Sequence, residues 1–230
     1  LMVLTLASKT SAALINYNGY TLDEETNIVT DGTLEWLQWD VTRGMSIDTA
    51  IADIADGFID GVEYGLGWTL ASNIQMAGVF NVFGFGADFI WDSDEQTEQW
   101  SLDPATNNDG VIEDIASDPE LQFTALFGET ENLSEIDNPN PYSMSRAIFG
   151  NDLDGDSLYN RAEVLDDYST EHGVGTGAIW LRVDATESNF AWGAAGVALV
   201  REHGSTLPPT SANEPSVMVL LVFGLMGVIG

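Results

Sequence analysis

The first part of the chain alternates between apolar and polar positions in the manner of β-strands. Over residues 13–39 the β-branched and aromatic positions are interrupted by polar residues at 24–27 and again at 31–32. Such interruptions between strand-like runs are typical of hairpin turns. The pattern therefore predicts an N-terminal β-hairpin region of two or three strands.

The next segment changes to the spacing of an amphipathic helix. Ser46 is a suitable N-cap, and Asp48 would lie in the first turn, where a negative charge is favourable. The segment ends near Gly57, and its apolar positions at helical spacing are Ile47, Ile51, Ile54 and Phe58. These features predict a first helix that buries one face.

A short strand at residues 68–70 separates this helix from a second one. Ser72 is placed to start the second helix, and Gly84 is placed to end it, because glycine readily adopts the left-handed conformation of a C-terminal cap. The apolar face of this helix would consist of Met76, Val79, Phe80 and Phe83. The chain is thus predicted to contain two amphipathic helices.

Two later segments, residues 177–184 and 190–202, have the composition of strands. The second of them would close the domain by pairing with the N-terminal hairpin. Together with the helices, these segments predict one α+β domain over residues 13–205. A chain of 230 residues is long enough to bury the apolar side chains of one such domain in a single core.

The charge balance is extreme, with 37 Asp and Glu residues against 6 Lys and Arg and a formal net charge of −31. Nucleic acid is a poor partner for such a surface, because binding to phosphates depends on Lys and Arg. There are two compatible explanations for the acidity. The carboxylates can form a solvated surface adapted to a salty or divalent-rich medium, or some of them can converge on metal ions. The chain has no cysteine, which excludes disulfides and zinc–thiolate sites.

One acidic segment, NDLDGDSLYNRAEVLDDY at residues 151–168, has the ligand spacing of an EF-hand-type calcium loop. If the first ligand is residue 152, the predicted oxygen donors are Asp152, Asp154, Asp156, the carbonyl of Leu158, Asn160 and Glu163. Calcium takes six to eight hard oxygen ligands, and the oxygen donors at alternate positions of this segment can supply them. Ser157 stands at the sixth position, where such loops usually have glycine. The alternative is a solvated acidic loop without a bound ion.

The sequence contains no recognisable catalytic motif, and we expect a protein that is not an enzyme. His172 and His203 are the two histidines, and neither belongs to a recognisable metal-binding or nucleophile motif. A carboxylate pair of the kind used by glycoside hydrolases is compatible with so many acids, but no particular pair stands out. A secreted polysaccharide hydrolase is therefore the alternative hypothesis.

The two ends carry signals of export. Residues 1–12 combine an apolar run with small residues at signal-peptidase spacing, which predicts a signal-peptide remnant; a buried first strand is the alternative. A polar linker at 206–213 precedes a segment at 214–230 that starts with Glu214 and Pro215. Its apolar run at 217–230 is 14 residues long, against about 20 for a helix that crosses a bilayer. We expect a truncated transmembrane helix.

This order of linker, Glu214, Pro215 and apolar helix resembles the PEP-CTERM sorting signal of Gram-negative bacteria, although Asn213 replaces the first proline of that pattern. The resemblance implies recognition by an exosortase-type protease, transient anchoring in the inner membrane, and delivery to the cell surface or the exopolysaccharide matrix. Residues 34–54 and 67–80 also resemble PEP-CTERM ectodomains and, more distantly, the C-type-lectin-like and sulfatase-modifying-factor-like group. That resemblance implies a lectin-like topology and carbohydrate as a ligand.

Overall fold

The structure is a computed structural model, and it describes residues 14–85, 88–90, 99–103, 118–133, 142–150, 152, 156–168 and 176–205. The predicted signal-peptide remnant, the sorting residues Glu214 and Pro215, and the apolar run at 217–230 lie outside the described residues. Among the helices of the described residues, none is both long enough and apolar enough to cross a bilayer.

The described residues form a mixed α+β structure, which confirms the predicted fold class. The α-helices are α1 (Ile47–Ile54), α2 (Asn73–Phe83) and α3 (Pro119–Phe127), and a short 3-10 helix covers Trp39–Thr42. The strands are β1 (Leu14–Tyr17), β2 (Tyr20–Asp23), β3 (Ile28–Thr30), β4 (Leu34–Leu37), β5 (Phe58–Ile59), β6 (Val62–Glu63), β7 (Thr69–Leu70), β8 (Gln99–Asp103), β9 (Glu131–Leu133), β10 (Tyr142–Phe149), β11 (Leu158–Tyr168), β12 (Thr176–Glu187), β13 (Gly196–Val197) and β14 (Leu199–Glu202).

The strands make two larger sheets and one small hairpin. The first sheet has the order β1-β2-β3-β4-β14-β7, and all of its neighbours are antiparallel. The second sheet has the order β13-β10-β11-β12-β8, with β9 also paired to β10. In it only β10 and β13 run parallel among the described pairs. Strands β5 and β6 form the separate hairpin.

The N-terminal hairpin region contains four strands, β1 to β4, where the sequence predicted two or three, while its closure by a late strand agrees with the prediction. Strands β1 and β2 are joined at Asn18 and Gly19, whose φ values of 51° and 85° are those of a tight hairpin turn. Strand β14 pairs with β4, so a strand near the C-terminal end of the described residues closes the sheet that the hairpin begins.

The two predicted helices begin where their caps were expected. The Ser46 side chain accepts a hydrogen bond from the Thr49 N–H, and Ser72 forms a reciprocal capping box with Gln75. Helix α2 ends at Gly84, which has a left-handed φ of 71°.

Helix α1 is shorter than predicted. It ends at Ile54, and Phe58 lies in β5 with 41% of its surface exposed instead of continuing the buried helical face. The reason is Gly57, whose φ of 91° turns the chain into the β5–β6 hairpin before another helical turn can form.

The main core is rich in aromatic rings and lies around α3. This helix contacts β1 and β2 of the first sheet and β10 and β11 of the second. Phe123 stacks on Phe127 with 4.5 Å between ring centroids, and both rings are fully buried. Edge-to-face contacts connect them to Trp39 and Phe80. The core side of the second sheet is therefore occupied mainly by packed apolar side chains.

Candidate functional site

The predicted calcium loop turns sharply just before β11. The Asp152 carboxylate accepts a hydrogen bond from the Ser157 N–H through Oδ2 at 3.1 Å, and Asp156 Oδ1 accepts one from the Leu158 N–H at 2.7 Å. Ser157 has a φ of 67°, the left-handed conformation for which glycine is usually selected at this position. The serine therefore adopts the turn that the sequence pattern requires, at a cost in backbone strain.

The loop retains an acceptor for a cation. Oδ1 of Asp152 is buried and accepts no hydrogen bond from the described residues. Burial, together with the negative charges of Asp152 and Asp48, raises the pKa of the neighbouring Tyr159. A buried carboxylate oxygen in a negative local field is a suitable ligand for a hard cation such as calcium. Asp154 lies outside the described residues.

The other two predicted ligands lie along β11. Asn160 is buried, and its side-chain amide donates a hydrogen bond to Asn73 Oδ1 on α2 at 2.9 Å. Glu163 is five residues beyond Leu158, or about 16 Å along an extended strand. Because side chains alternate along a strand, Asn160 and Glu163 also point to opposite faces of the sheet. The structure thus brings together Asp152, Asp156 and Leu158 but separates Asn160 and Glu163 from them.

Glu163 is instead the centre of a group of three arginines, here called the arginine cluster: Arg146 on β10, Arg161 on β11 and Arg182 on β12. Glu163 Oε1 contacts Nε of Arg146 and, at 3.1 Å, Nε of Arg161. Its Oε2 lies 2.9 Å from Nε of Arg182. The strand register explains the convergence, since Arg146 pairs with Glu163 and Arg161 pairs with Arg182.

Tryptophan rings lie against the guanidinium groups of the arginine cluster. Trp192 lies 4.3 Å from the Arg146 guanidinium carbon and 4.5 Å from that of Arg161, measured to the ring centroid. Trp180 lies 5.0 Å from the guanidinium carbon of Arg182. These distances are within the range of cation–π interactions. Arg161 and Glu163 on β11, and Trp180 and Arg182 on β12, are two residues apart and so lie on one face of their strands, but their convergence depends on the pairing of the strands.

A second ion-pair network joins the adjacent strands β4 and β14 of the first sheet. Arg201 on β14 lies directly opposite Glu35 on β4, and its Nε contacts a Glu35 oxygen. The other Glu35 oxygen lies 2.9 Å from Nδ1 of His203. Arg201 Nη1 also donates to the carbonyl of Tyr64 at 2.8 Å, and its guanidinium covers the Trp68 ring at 4.3 Å. His203, isolated in the sequence, therefore belongs to a charged network.

A cleft of 410 Å³ opens beside this network. Its walls include the Glu35 and Arg201 side chains together with backbone at two glycines, and the full lining is Glu35, Tyr64, Gly65, Leu66, Arg201, Gly204 and Ser205. The volume is in the range of small-molecule sites. The aromatic rings next to it are covered, since Trp68 is 7% and Tyr64 8% exposed. The cleft thus offers charge but no exposed aromatic platform.

Within the part of the chain that the structure describes, no group of three or more His, Asp or Glu side chains is positioned to hold a metal ion. His172 lies outside that part. Comparison of the chain with protein-family models, curated proteins and solved structures finds no match.

Proposed function

We propose that the chain is an exported protein of the cell surface or exopolysaccharide matrix of a Gram-negative bacterium, and that its acidic domain binds matrix components through calcium without catalysing a reaction. The observation that carries this proposal is the separation of charge. Four of the five arginines are paired with Glu163 or Glu35, with side chains 13–32% exposed. The exposed charges of the described residues are therefore almost all carboxylates.

Such a surface repels acidic polymers unless divalent cations lie between them. Calcium is suited to this bridging because it accepts many oxygen ligands in a flexible geometry. The loop at Asp152 and Asp156 is where we expect an ion to be held by the protein itself, with Asp154 and the Leu158 carbonyl as further predicted ligands. Glu163 is excluded from that ligand set by its three arginine partners.

The export route in this proposal rests on the resemblance of the C-terminal segment to PEP-CTERM signals. An exosortase-type protease would recognise Glu214, Pro215 and the apolar run, which would hold the protein in the inner membrane until processing. A lectin-like topology, and carbohydrate as a ligand of the domain, are part of the same proposal and rest on the resemblance of residues 34–54 and 67–80.

Thermal melts in calcium, in magnesium and in EGTA test the calcium part. Extracellular calcium modules bind with dissociation constants of about 0.1–1 mM, and a hundredfold excess of ligand stabilises by about 2.7 kcal/mol. We expect calcium to raise the melting midpoint of the wild type. The midpoint of an Asp152→Asn/Asp156→Asn variant should not change when calcium is added. A Glu24→Gln/Glu25→Gln variant loses the same charge at an exposed turn and should respond as the wild type does. Identical wild-type melting midpoints in calcium and in EGTA would show that the loop does not bind calcium.

Binding to exopolysaccharide tests the wider function. The purified chain should sediment with exopolysaccharide in calcium and be released by EGTA. Release of reducing ends from a polysaccharide panel, abolished by a single Asp or Glu substitution, would instead favour the alternative of a secreted hydrolase with a carboxylate pair.

A further inference from the structure

We infer that the 410 Å³ cleft beside Arg201 binds a single uronic acid unit of a matrix polysaccharide through the carboxylate and hydroxyl groups of the sugar. This inference rests on the proposed association with the matrix, and it names both a ligand and a site that does not need calcium. The cleft offers three features for this ligand: a fixed guanidinium group, polar groups without partners, and walls of balanced charge.

The guanidinium group of Arg201 is held in place along one edge and at Nε. Its Nε donates to Oε2 of Glu35, and its Nη1 donates to the carbonyls of Tyr64 at 2.8 Å and Leu66 at 3.3 Å. Gly65, between these two carbonyls, has a φ of 77°, and a Cβ atom there would lie 3.1 Å from Nη1. The backbone therefore closes around Nη1. Because the side chain is ordered before a ligand arrives, binding to it costs little conformational entropy.

The other terminal nitrogen of Arg201, Nη2, is the donor that is left for a ligand. Nη2 has no acceptor among the described residues and is not one of their buried atoms, so solvent reaches it. The same is true of the Ser205 hydroxyl group, and both residues line the cleft. An arginine N–H binds a carboxylate strongly, and a serine hydroxyl can donate to or accept from a sugar hydroxyl. The cleft thus has a group for each kind of oxygen in a uronic acid.

The charge of the cleft favours a ligand with one negative charge. Among the described residues that line it, the charged ones are Glu35 and Arg201, and they form an ion pair. A ligand with two or more negative charges is repelled more strongly by a chain of net charge −31. At about 0.15 M salt the Debye length is about 8 Å, which screens a single bound carboxylate from the more distant surface acids. A monocarboxylate is therefore favoured over a phosphate group.

The covered aromatic rings beside the cleft favour a hydroxylated acid over an aromatic one. Trp68 is 7% and Tyr64 8% exposed, so neither offers an open face for stacking. A ligand is then held mainly by hydrogen bonds, which the hydroxyl groups around a sugar ring can supply. The volume of 410 Å³ is near the lower end of the range for small-molecule sites, which suits one sugar unit better than a length of polymer.

Titration of the full chain with glucuronate, glucose and acetate tests the inference, with binding followed by NMR in EGTA and about 0.15 M NaCl. Glucuronate has both the carboxylate and the hydroxyl groups, glucose lacks the carboxylate, and acetate lacks the ring. We expect glucuronate to bind at least about tenfold more tightly than glucose or acetate, because each of these loses one set of hydrogen bonds. EGTA removes calcium, so the loop at Asp152 cannot contribute.

The variant that fills the cleft is Ser205→Phe, and its matched control is Thr26→Phe at an exposed turn outside the cleft. Ser205→Phe should weaken glucuronate binding at least about tenfold, whereas Thr26→Phe should change it less than about twofold. Arg201→Lys keeps the positive charge but has no Nη2, and it should bring the affinity for glucuronate to within about threefold of that for glucose. Near-ultraviolet circular dichroism of each variant monitors folding.

The inference is overturned if the wild type does not bind glucuronate in EGTA, or if it binds glucose or acetate as tightly. Equal glucuronate binding by Ser205→Phe and Thr26→Phe would also overturn it, because the bound sugar would then lie elsewhere. Since a single contact of this kind gives no multivalent gain, the chain should still be released from exopolysaccharide by EGTA. The proposed function fails separately, if the chain does not sediment with exopolysaccharide in calcium.

Discussion

Glu163 shows how much one residue can determine in this protein. Its side chain is 3% exposed and contacts arginines on three adjacent strands. A buried charge of this kind is stabilising only while its partners remain, because each member compensates the desolvation of the others. The carboxylate thus holds together side chains that would otherwise repel one another.

We expect Glu163→Gln to lower the free energy of unfolding by about 3–5 kcal/mol, because it leaves three guanidinium groups without their common carboxylate. Urea denaturation measures the effect. Glu131→Gln is the control, since Glu131 is 28% exposed and 3.7 Å from Arg146, and it should cost less than about 1 kcal/mol. Equal destabilisation by the two variants would contradict the central role of Glu163.

Tyr20 gives a prediction about alkaline pH. Its burial, with a smaller contribution from Asp31, raises the pKa of Tyr20 to about 12, whereas a tyrosine in an unfolded chain has a pKa of about 10. Between these values the unfolded state loses the proton and the folded state keeps it. Stability should therefore be unaffected below about pH 10 and should fall from about pH 10 to about pH 12.

Denaturant unfolding as a function of pH checks this prediction, and Tyr20→Phe should remove the part of the decrease that Tyr20 causes. The ring contacts with Phe83 and Phe127 do not need the hydroxyl group and should persist in that variant. An unchanged decrease in Tyr20→Phe would assign the alkaline sensitivity to other groups.

At the scale of elements, β13 lies directly against the 3-10 helix at Trp39–Thr42. Thr42 Oγ1 accepts a hydrogen bond from the Val197 N–H at 2.7 Å, so the two segments are tied together. A Cβ atom on Gly196 would lie 1.8 Å from the Trp39 carbonyl oxygen. That contact is between two backbones, neither of which can turn away as a side chain can.

We accordingly expect Gly196→Ala to destabilise the protein by more than about 3 kcal/mol, beyond the usual cost of an overpacked core. Gly193→Ala is the matched control, because a Cβ there meets nothing within 4 Å, and it should be neutral or stabilise slightly. Thermal unfolding of both variants provides the comparison. A well-folded Gly196→Ala protein would show that β13 can separate from the 3-10 helix without cost.

Local signals predicted the elements whose ends are set by their own residues. The caps at Ser46, Ser72 and Gly84 are of this kind, and so is the hairpin region at the start of the domain. Helix α3 was not predicted, although Asp118 caps it and Pro119 stands in its first turn, because acidic loop-like sequence surrounds it. The calcium pattern extended into β11 for a similar reason: spacing does not distinguish a ligand such as Glu163 from the acidic partner of arginines on neighbouring strands.

For the whole molecule, the sequence predicted the fold class and the pairing of a late strand with the N-terminal hairpin region, but it could not predict the register that brings individual charged residues together. Pairing of Arg201 with Glu35, or of Arg146 with Glu163, depends on contacts between distant parts of the chain. For the same reason His203 had no predictable partner. The arginine cluster and the network of Arg201, Glu35 and His203 are made by sheet register, which no local pattern encodes.

The net charge of −31 should make the whole fold sensitive to ionic strength. Raising it from about 0.01 M to about 0.15 M shortens the Debye length from about 30 Å to about 8 Å and weakens repulsion among surface carboxylates. We expect NaCl, with EGTA present to exclude calcium, to raise the melting midpoint by several degrees. A midpoint that is flat or falls over this range would mean that attractive ion pairs outweigh the repulsion.

The position of β14 has a consequence for the order of events while the chain is made. This strand is the last of the described strands in sequence, yet it is an interior strand of the first sheet, between β4 and β7. A chain that emerges from the ribosome or a translocation pore with its N-terminus first cannot complete this sheet until residue 202 has emerged. Until then β7 cannot be joined to the four N-terminal strands, so this sheet stays incomplete until almost all of the described chain has emerged.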